Sequence, residues 1–140
     1  INDDTFLATY GDAVADIDLN KLVDFHPKQN TVAALTAVHP HSRWGMVKEG
    51  KNGQIEEFVE KPYLYDYVNG GFYVFKKEIF DHLESNDECV LEGKPFTALV
   101  KKNQFSMYKH ESFWHSMDTY KDYLDLNKIW DSGNVPWKKW

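Results

Sequence analysis

The chain has 140 residues and a mass of 16.4 kDa, the size of one ordinary domain and long enough to bury a core. Hydrophobic residues make up 42% and aromatic residues 16% of it, which excludes a disordered tail. A net charge of −6, with acids and bases interspersed, argues against a general nucleic-acid binder, which needs a clustered basic face, but leaves room for an anionic small substrate held by a single lysine.

Cys89 is the single cysteine, so an intramolecular disulfide is excluded. Beside Val90 and Leu91 it reads as a small buried hydrophobe. No stretch approaches the ~18 apolar residues of a membrane span, and the first residues lack a signal-peptide pattern. The expectation is a soluble cytoplasmic protein. The opening Ile1-Asn2-Asp3-Asp4 has no initiator Met and runs at once into a strand-like segment, as in a chain cut from something longer.

Thr5 to Thr9 reads as a short central strand, apolar on both faces as parallel strands tend to be. Asp18 is placed to cap a helix from Leu19, with Leu19, Leu22 and Val23 as its apolar stripe and Pro27 as its end. Thr31 to Val38 is a second buried strand. Strand, helix and strand in this order predict a βαβ unit with a parallel pair and a right-handed crossover. Trp44–Lys48 and Gln54–Val59 then flank a hairpin turn with Asn52-Gly53 at its tip. Val68–Phe75 is a further strand, Lys77–Leu83 and Pro95–Lys102 read as helices, and Phe105–His110 reads as a strand. Phe113 to Met117 leads into Asp118-Thr119 and a last helix from about Tyr120 to Trp130, ending before Gly133. The tail Val135 to Trp140 is aromatic and predicts docking, on its own domain or at a subunit contact. No repeat or linker interrupts the chain, so residues 1–140 read as a single α/β unit with a mixed sheet.

Several places have the composition of a site. Asp12 follows Gly11 at the carboxyl end of the first strand, where ligands bind in open α/β sheets. It reads either as a turn aspartate bonding nearby amides or as a ligand to a cation. Asp16 and Asp18 read as turn and cap residues. Asp118 reads either as the cap of the last helix or as a partner of Asp12, since Mg²⁺ takes one or two carboxylates together with substrate phosphates. In Glu60-Lys61-Pro62 the proline restricts Lys61 to an extended or turn conformation. That would aim a lysine at a phosphate beside a glutamate able to accept hydrogen bonds from hydroxyls; a surface ion pair next to a turn is the plainer reading. Asn69-Gly70-Gly71 inside a strand suggests close approach of a ligand or a bulge, and Arg43-Trp44-Gly45 makes a weaker claim of the same kind. The six histidines show no zinc-like spacing with the one cysteine. Neither a nucleophile elbow nor a P-loop occurs.

Taken in order, YGDAVADI, SRWG, FVEKP, VNGGFYVF, FWHSMDT and LNKIWDSGNVPWKKW resemble the sugar-1-phosphate nucleotidylyltransferases over nearly the whole chain, and within them most nearly the glucose-1-phosphate cytidylyltransferase branch. GD and EKP are shared across the wider family; NGGF, FW..MDT and the W..G..PWK.W ending point to that branch. The resemblance implies a Rossmann-like, mixed and mostly parallel sheet. It implies Mg²⁺-dependent transfer from CTP to glucose 1-phosphate, giving CDP-glucose and pyrophosphate, in nucleotide-sugar and lipopolysaccharide O-antigen biosynthesis. It further implies Asp12 and Asp118 as metal ligands, Lys61 as the phosphate ligand, and Glu60, Gly45, Asn69 and Gly70 as parts of the sugar pocket. Subunit contacts through the hairpin and the aromatic tail would make a homo-oligomer.

Two departures qualify it. Ala13 stands where the family has glycine after YGD. The family's glycine-rich G-x-G-T-R loop, which cradles the triphosphate, has no counterpart in these residues. The resemblance therefore implies the C-terminal, sugar-phosphate-binding part, without the N-terminal nucleotide-binding portion and inactive alone. A non-catalytic sugar-phosphate-binding or regulatory module is the alternative.

Overall fold

The computed structural model describes residues 1–140. Its elements are β1 (Thr5–Thr9), β2 (Ala13–Ala15), α1 (Leu19–Gln29), β3 (Ala33–Val38), β4 (Met46–Glu49), β5 (Ile55–Val59), β6 (Val68–Lys76), α2 (Lys94–Lys101), β7 (Phe105–His110), β8 (Trp114–Ser116) and α3 (Tyr120–Asp131). Strands β1, β6, β3 and β7 form one sheet in that order. β6 is antiparallel to both β1 and β3, and β3 is parallel to β7, so three of the four strands point the same way. The sheet is the mixed, mostly parallel one expected of an α/β fold. β2 pairs with β8 and β4 with β5 in two small antiparallel ladders.

The expected place of β1 is corrected. It lies at the sheet edge, and β6 separates it from β3, so no hydrogen-bonded parallel pair joins them. The physical signal is burial. A central strand is covered on both faces, as β3 and the latter part of β6 are. In β1 only Phe6 and Ala8 pack inward, while Leu7 stays 47% exposed. A short apolar run does not by itself distinguish the two cases.

Helix α1 begins as expected: Asp18 Oδ1 accepts the amides of Asn20 and Lys21 at 3.1 and 3.2 Å, satisfying N–H groups that lack helical partners. Leu22 and His26, four residues apart and therefore on one face, are its buried side chains. Pro27 does not end it. The proline sits in the last turn, and the helix runs on to Gln29, closing at Asn30 in the left-handed region (φ 50°). His26 Nε2 lies 3.0 Å from the Thr31 carbonyl. Burial pushes the His26 pKa below its ordinary 6.5, against the raising effect of that carbonyl.

The core gathers where α2 and the 3₁₀ turn Lys77–His82 cover one sheet face. Ala33, Tyr73, Phe75, Ile79, Phe96 and Leu99 form it, with Phe96 and Phe105 rings 4.5 Å apart. Lys77–Leu83, expected to be helical, is this 3₁₀ helix over Lys77–His82. The β4–β5 arm turns through Asn52 (φ 58°) and Gly53 (φ 75°), the paired left-handed residues that an Asn-Gly hairpin turn requires, and every residue of both strands is exposed. Cys89 is only half-buried, and its Sγ accepts the Glu84 amide at 3.3 Å. The tail docks on this chain itself, with Trp137 stacked on Phe113 at 5.3 Å, while Trp140 stays exposed. No helix is long and apolar enough to cross a membrane.

Two measurements check this packing. A Cβ on Gly70 would meet the Thr36 carbonyl oxygen and Val38 Cγ1, both at 2.9 Å. Gly70→Ala should therefore cost about 1–3 kcal/mol, read as a lower urea midpoint at unchanged m-value. His26 binds its proton more weakly folded than unfolded, so its contribution is complete above the unfolded pKa of 6.5 and is lost as pH falls below it. Stability should drop between about pH 7.5 and 5.5, and His26→Gln should flatten that slope.

Candidate active site

The two aspartates singled out in the sequence lie on segments joined by the β2–β8 ladder. Ala13 pairs with Ser116, and at the end of the ladder the Met117 amide donates to the Asp12 carbonyl at 2.7 Å. Asp12 and Asp118 thus leave adjacent chain segments at the same end of one ladder. The short strand β2, not anticipated from Ala13-Val14-Ala15, does this work. Further along, the Asp16 amide donates to the Phe113 carbonyl at 3.1 Å, and the Asp16 carboxylate accepts Ser112 Oγ at 2.7 Å. His110 Nε2 lies 2.9 Å from Asp16 Oδ1, but its ring points at the Phe113 carbonyl, 3.1 Å away. Asp16 thus fastens the ladder, a structural role as expected.

Asp118 is not the cap of α3. Thr119 takes that role in a reciprocal box: its hydroxyl accepts the Asp122 amide at 3.2 Å, and the Asp122 carboxylate accepts the Thr119 amide at 2.8 Å. Burial raises the Asp122 pKa, but Thr119, His115 and Arg43 together outweigh it and hold the carboxyl below its ordinary value. Asp118 is left free for another role. Its Oδ2 accepts Arg43 Nη2 at 2.7 Å and Ser116 Oγ at 2.9 Å, and its Oδ1 accepts no hydrogen bond from the protein.

Of the extended and turn conformations expected for Lys61, its backbone takes the turn. It is bent into the left-handed region, φ 47°, a conformation that costs a non-glycine residue of order 1 kcal/mol. The surrounding bonds hold it there. His41 Nδ1 lies 3.1 Å from the Lys61 carbonyl, the Ser42 amide donates to Pro62 at 2.8 Å, and the Leu64 amide donates to Pro40 at 2.9 Å. The segments around SRWG and EKP are therefore laced to each other. Lys61 Nζ rests 3.5 Å from Glu60 Oε1.

These segments bound a cavity of about 700 Å³ with 14 lining residues, only two of them hydrophobic. Arg43, Lys61 and Lys121 face it with Asp118, Asp122 and Asp125, a wall suited to a hydrated, charged ligand. Of the predicted residues, Lys61 and Asp118 line this cavity; Asp12 lies beside it through Met117. Gly45 and Glu60 adjoin each other at the base of the β4–β5 arm: a Cβ on Gly45 would stand 2.6 Å from the Phe58 ring and 2.9 Å from Glu60 Oε2. Asn69 is turned to its own strand, donating to the Tyr73 hydroxyl at 2.6 Å and accepting the Gly71 amide at 3.0 Å. Gly70 lies one layer behind the wall, where its carbonyl accepts Trp114 Nε1 at 2.8 Å. Sequence reasoning missed Ser116, His115 and Lys121, and passed over Arg43 in favour of Gly45. A charged residue two positions before a glycine was the only signal it offered.

The donor chemistry offers a hard divalent cation one carboxylate on the cavity, Asp118 with an oxygen to spare, beside lysine and arginine able to take a phosphate; Asp12 joins it by backbone, and no group of three or more such ligands gathers there.

Comparison with known proteins gives the family of the chain. The nucleotidyl transferase family profile matches residues 1–132. A protein named as probable glucose-1-phosphate cytidylyltransferase in Bacillus subtilis strain 168 is 36% identical over 140 residues, covering 100% of this chain and 55% of that protein. The glucose-1-phosphate cytidylyltransferase of Salmonella typhimurium is 37% identical over 140 residues, covering 99% of this chain and 54% of its own. This chain thus spans about half the length of the curated relatives it matches. Among solved structures, HddC from Yersinia pseudotuberculosis shares the fold at a TM-score of 0.63 and 17% identity, over 93% of this chain and 57% of that one. With the family profile running through β1, the cavity segments and α3 alike, the chain belongs to the nucleotidyl transferase family.

Proposed function

We propose that this chain carries the sugar-phosphate side of an Mg²⁺-dependent transfer of a cytidylyl group from CTP to glucose 1-phosphate, giving CDP-glucose and pyrophosphate. The observation that carries the reading is the convergence of Lys61 and Asp118 on one polar cavity, with Asp12 bonded through its backbone to the residue before Asp118. The base and the sugar are those named for the relatives at 36% and 37% identity.

In this reading Asp12 and Asp118 would hold the ion. Bound Mg²⁺ supplies neutralisation of the charge that builds on the transferring phosphoryl group. Lys61 would hold the phosphate of glucose 1-phosphate, orienting its oxygen for in-line attack on the α-phosphorus of CTP. Glu60, held beside Gly45, would accept sugar hydroxyls at the rim. The backbone bonds joining residues 40–42 to residues 61–64 fix Lys61 before any ligand arrives. The protein's part is positioning and charge compensation rather than covalent chemistry.

We further propose that residues 1–140 form the C-terminal, sugar-phosphate-binding portion of the enzyme and do not turn over alone. The shared length with the relatives supports a portion rather than the whole. So does the surface. The chain exposes 9973 Å², against about 7,500 Å² for a compact monomer of this mass. Among its exposed side chains are Leu7 on the edge strand and Leu19 and Val23 on α1. No glycine-rich triphosphate loop occurs among these residues, which is also what a non-catalytic sugar-phosphate-binding module would show.

The test is pyrophosphate release by the full-length protein with glucose 1-phosphate and each of CTP, UTP, GTP and dTTP. CTP should be preferred; robust turnover with another nucleotide would defeat the cytidylyl assignment, and absence of turnover with all four would favour the binding module. In the active protein, Asp118→Asn should lower kcat/KM by about 10²–10³-fold. Lys61→Ala should lower it about 10- to 100-fold, mainly through KM for the sugar phosphate. Near-normal rates in either variant would remove that residue from the site.

A further inference from the structure

Three cations face the cavity, and their present partners differ in kind. Lys121 bonds to Asp125 one turn along the same helix, a pair that local spacing maintains. Lys61 rests against the neighbouring Glu60. Arg43 alone reaches across the cavity, from the segment before β4 to Asp118 at the start of α3. It takes the carboxylate that the metal reading needs. The pair is accessible to water, with side chains 56% and 46% exposed, so separating it costs little: an exposed ion pair is worth a factor of about two to five in an equilibrium.

The anchoring of the two ends is unequal in a useful way. Ser42, buried beneath the loop, accepts the Trp44 amide at 3.2 Å and donates to the Trp44 carbonyl at 2.8 Å. Its own amide is bonded to Pro62. The backbone that carries Arg43 is thereby fixed to the backbone that carries Lys61. Ser116 Oγ meanwhile holds Asp118 Oδ2 independently of the arginine. The guanidinium can leave without releasing either the carboxylate or the loop.

We propose that Arg43 is a second phosphate ligand, parked on Asp118 until a divalent cation claims that carboxylate. A dication on Asp118 replaces the attraction felt by the guanidinium with repulsion. A phosphate monoester at Lys61 offers it two oxygens in the fork geometry arginine prefers. The exchange breaks one exposed ion pair and forms a bidentate one, so cation and phosphate bind cooperatively. Arg43 acts as a positioning residue that links the two ligands. The inference rests on the reading of Asp118 as a metal-binding carboxylate.

The experiment uses the full-length protein, with Mn²⁺ binding followed by electron paramagnetic resonance and glucose 1-phosphate binding by calorimetry, each with and without the other ligand. Arg43→Ala should bind Mn²⁺ about two- to fivefold more tightly in the absence of phosphate, because the competing cation is gone. It should bind glucose 1-phosphate about tenfold more weakly when Mn²⁺ is present, and the wild-type enhancement of one ligand by the other should vanish. Arg43→Lys should restore part of the coupling. Opposite shifts in the two affinities are the signature, since mere loosening of the loop would weaken both. Loss of both affinities, or wild-type values for both, would overturn the inference. Asp118→Asn separates its failure from that of the metal reading. If that variant still binds Mn²⁺ normally, the metal assignment falls and the inference with it. If it loses Mn²⁺ while Arg43→Ala is unchanged, the inference alone falls.

Discussion

Strand β6 is the constraint on which the rest of the structure depends. It runs antiparallel between β1 and β3, so it alone joins the two ends of the crossover through α1 into one sheet. The latter half of the strand supplies Tyr73 and Phe75 to the core. The first half is built around absent side chains. Gly70 lies so close to β3 that a Cβ would collide with it, and Gly71 adopts φ 77°, with the Tyr10 ring 3.0 Å from where its Cβ would stand. That close approach leaves the Gly70 carbonyl available to Trp114, which ties the β2–β8 ladder to the main sheet. The ladder in turn carries Asp12 and Asp118. A chain of ordinary hydrogen bonds thus leads from a pair of glycines to the placement of two carboxylates.

Around the cavity the structure combines a stiff backbone with weakly held charges. The loops bearing Arg43 and Lys61 are bonded to each other at three points, and Lys61 is held in a backbone conformation it would not adopt unaided. The side chains these loops present are half-exposed and paired only with other exposed groups. Coulombic attraction between such groups is small in water and further screened by salt. An incoming ion or phosphate therefore meets groups already in position whose present partners it can displace at little cost. Chemistry that proceeds by orientation and charge neutralisation favours this combination.

Much of this was legible in advance where the signal is local. The Asp18 cap, the Asn52-Gly53 turn, the β7 limits and the stop before Gly133 follow from short-range stereochemistry that only a few neighbours influence. Errors arose where the deciding partner is distant. TFLAT looks central until β6 is seen to lie beside it. Asp118 looks like a cap until the Thr119–Asp122 box is seen to hold that position. Pro27 looks like a terminator, yet in a last turn its missing N–H costs one bond that the buried face of Leu22 and His26 outweighs. The tail's aromatic residues suit its own domain or a subunit contact equally, and only Phe113 beneath Trp137 decides for the first.

Local signals in the chain fix most of the elements, though not β2, together with the family to which their ordered motifs belong and the residue types available for binding a cation and a phosphate. Only the tertiary structure decided which of them meet. Motifs record what each residue can donate or accept, whereas distances between remote residues are set by strand order and by the few close contacts that strand order allows. The backbones of Asp12 and Met117, the residue before Asp118, are joined because β2 and β8 pair. Arg43 reaches Asp118 because the loop before β4 is fastened to the loop after β5. Neither fact has a local signature, since each depends on backbone bonds between segments that lie far apart in the chain.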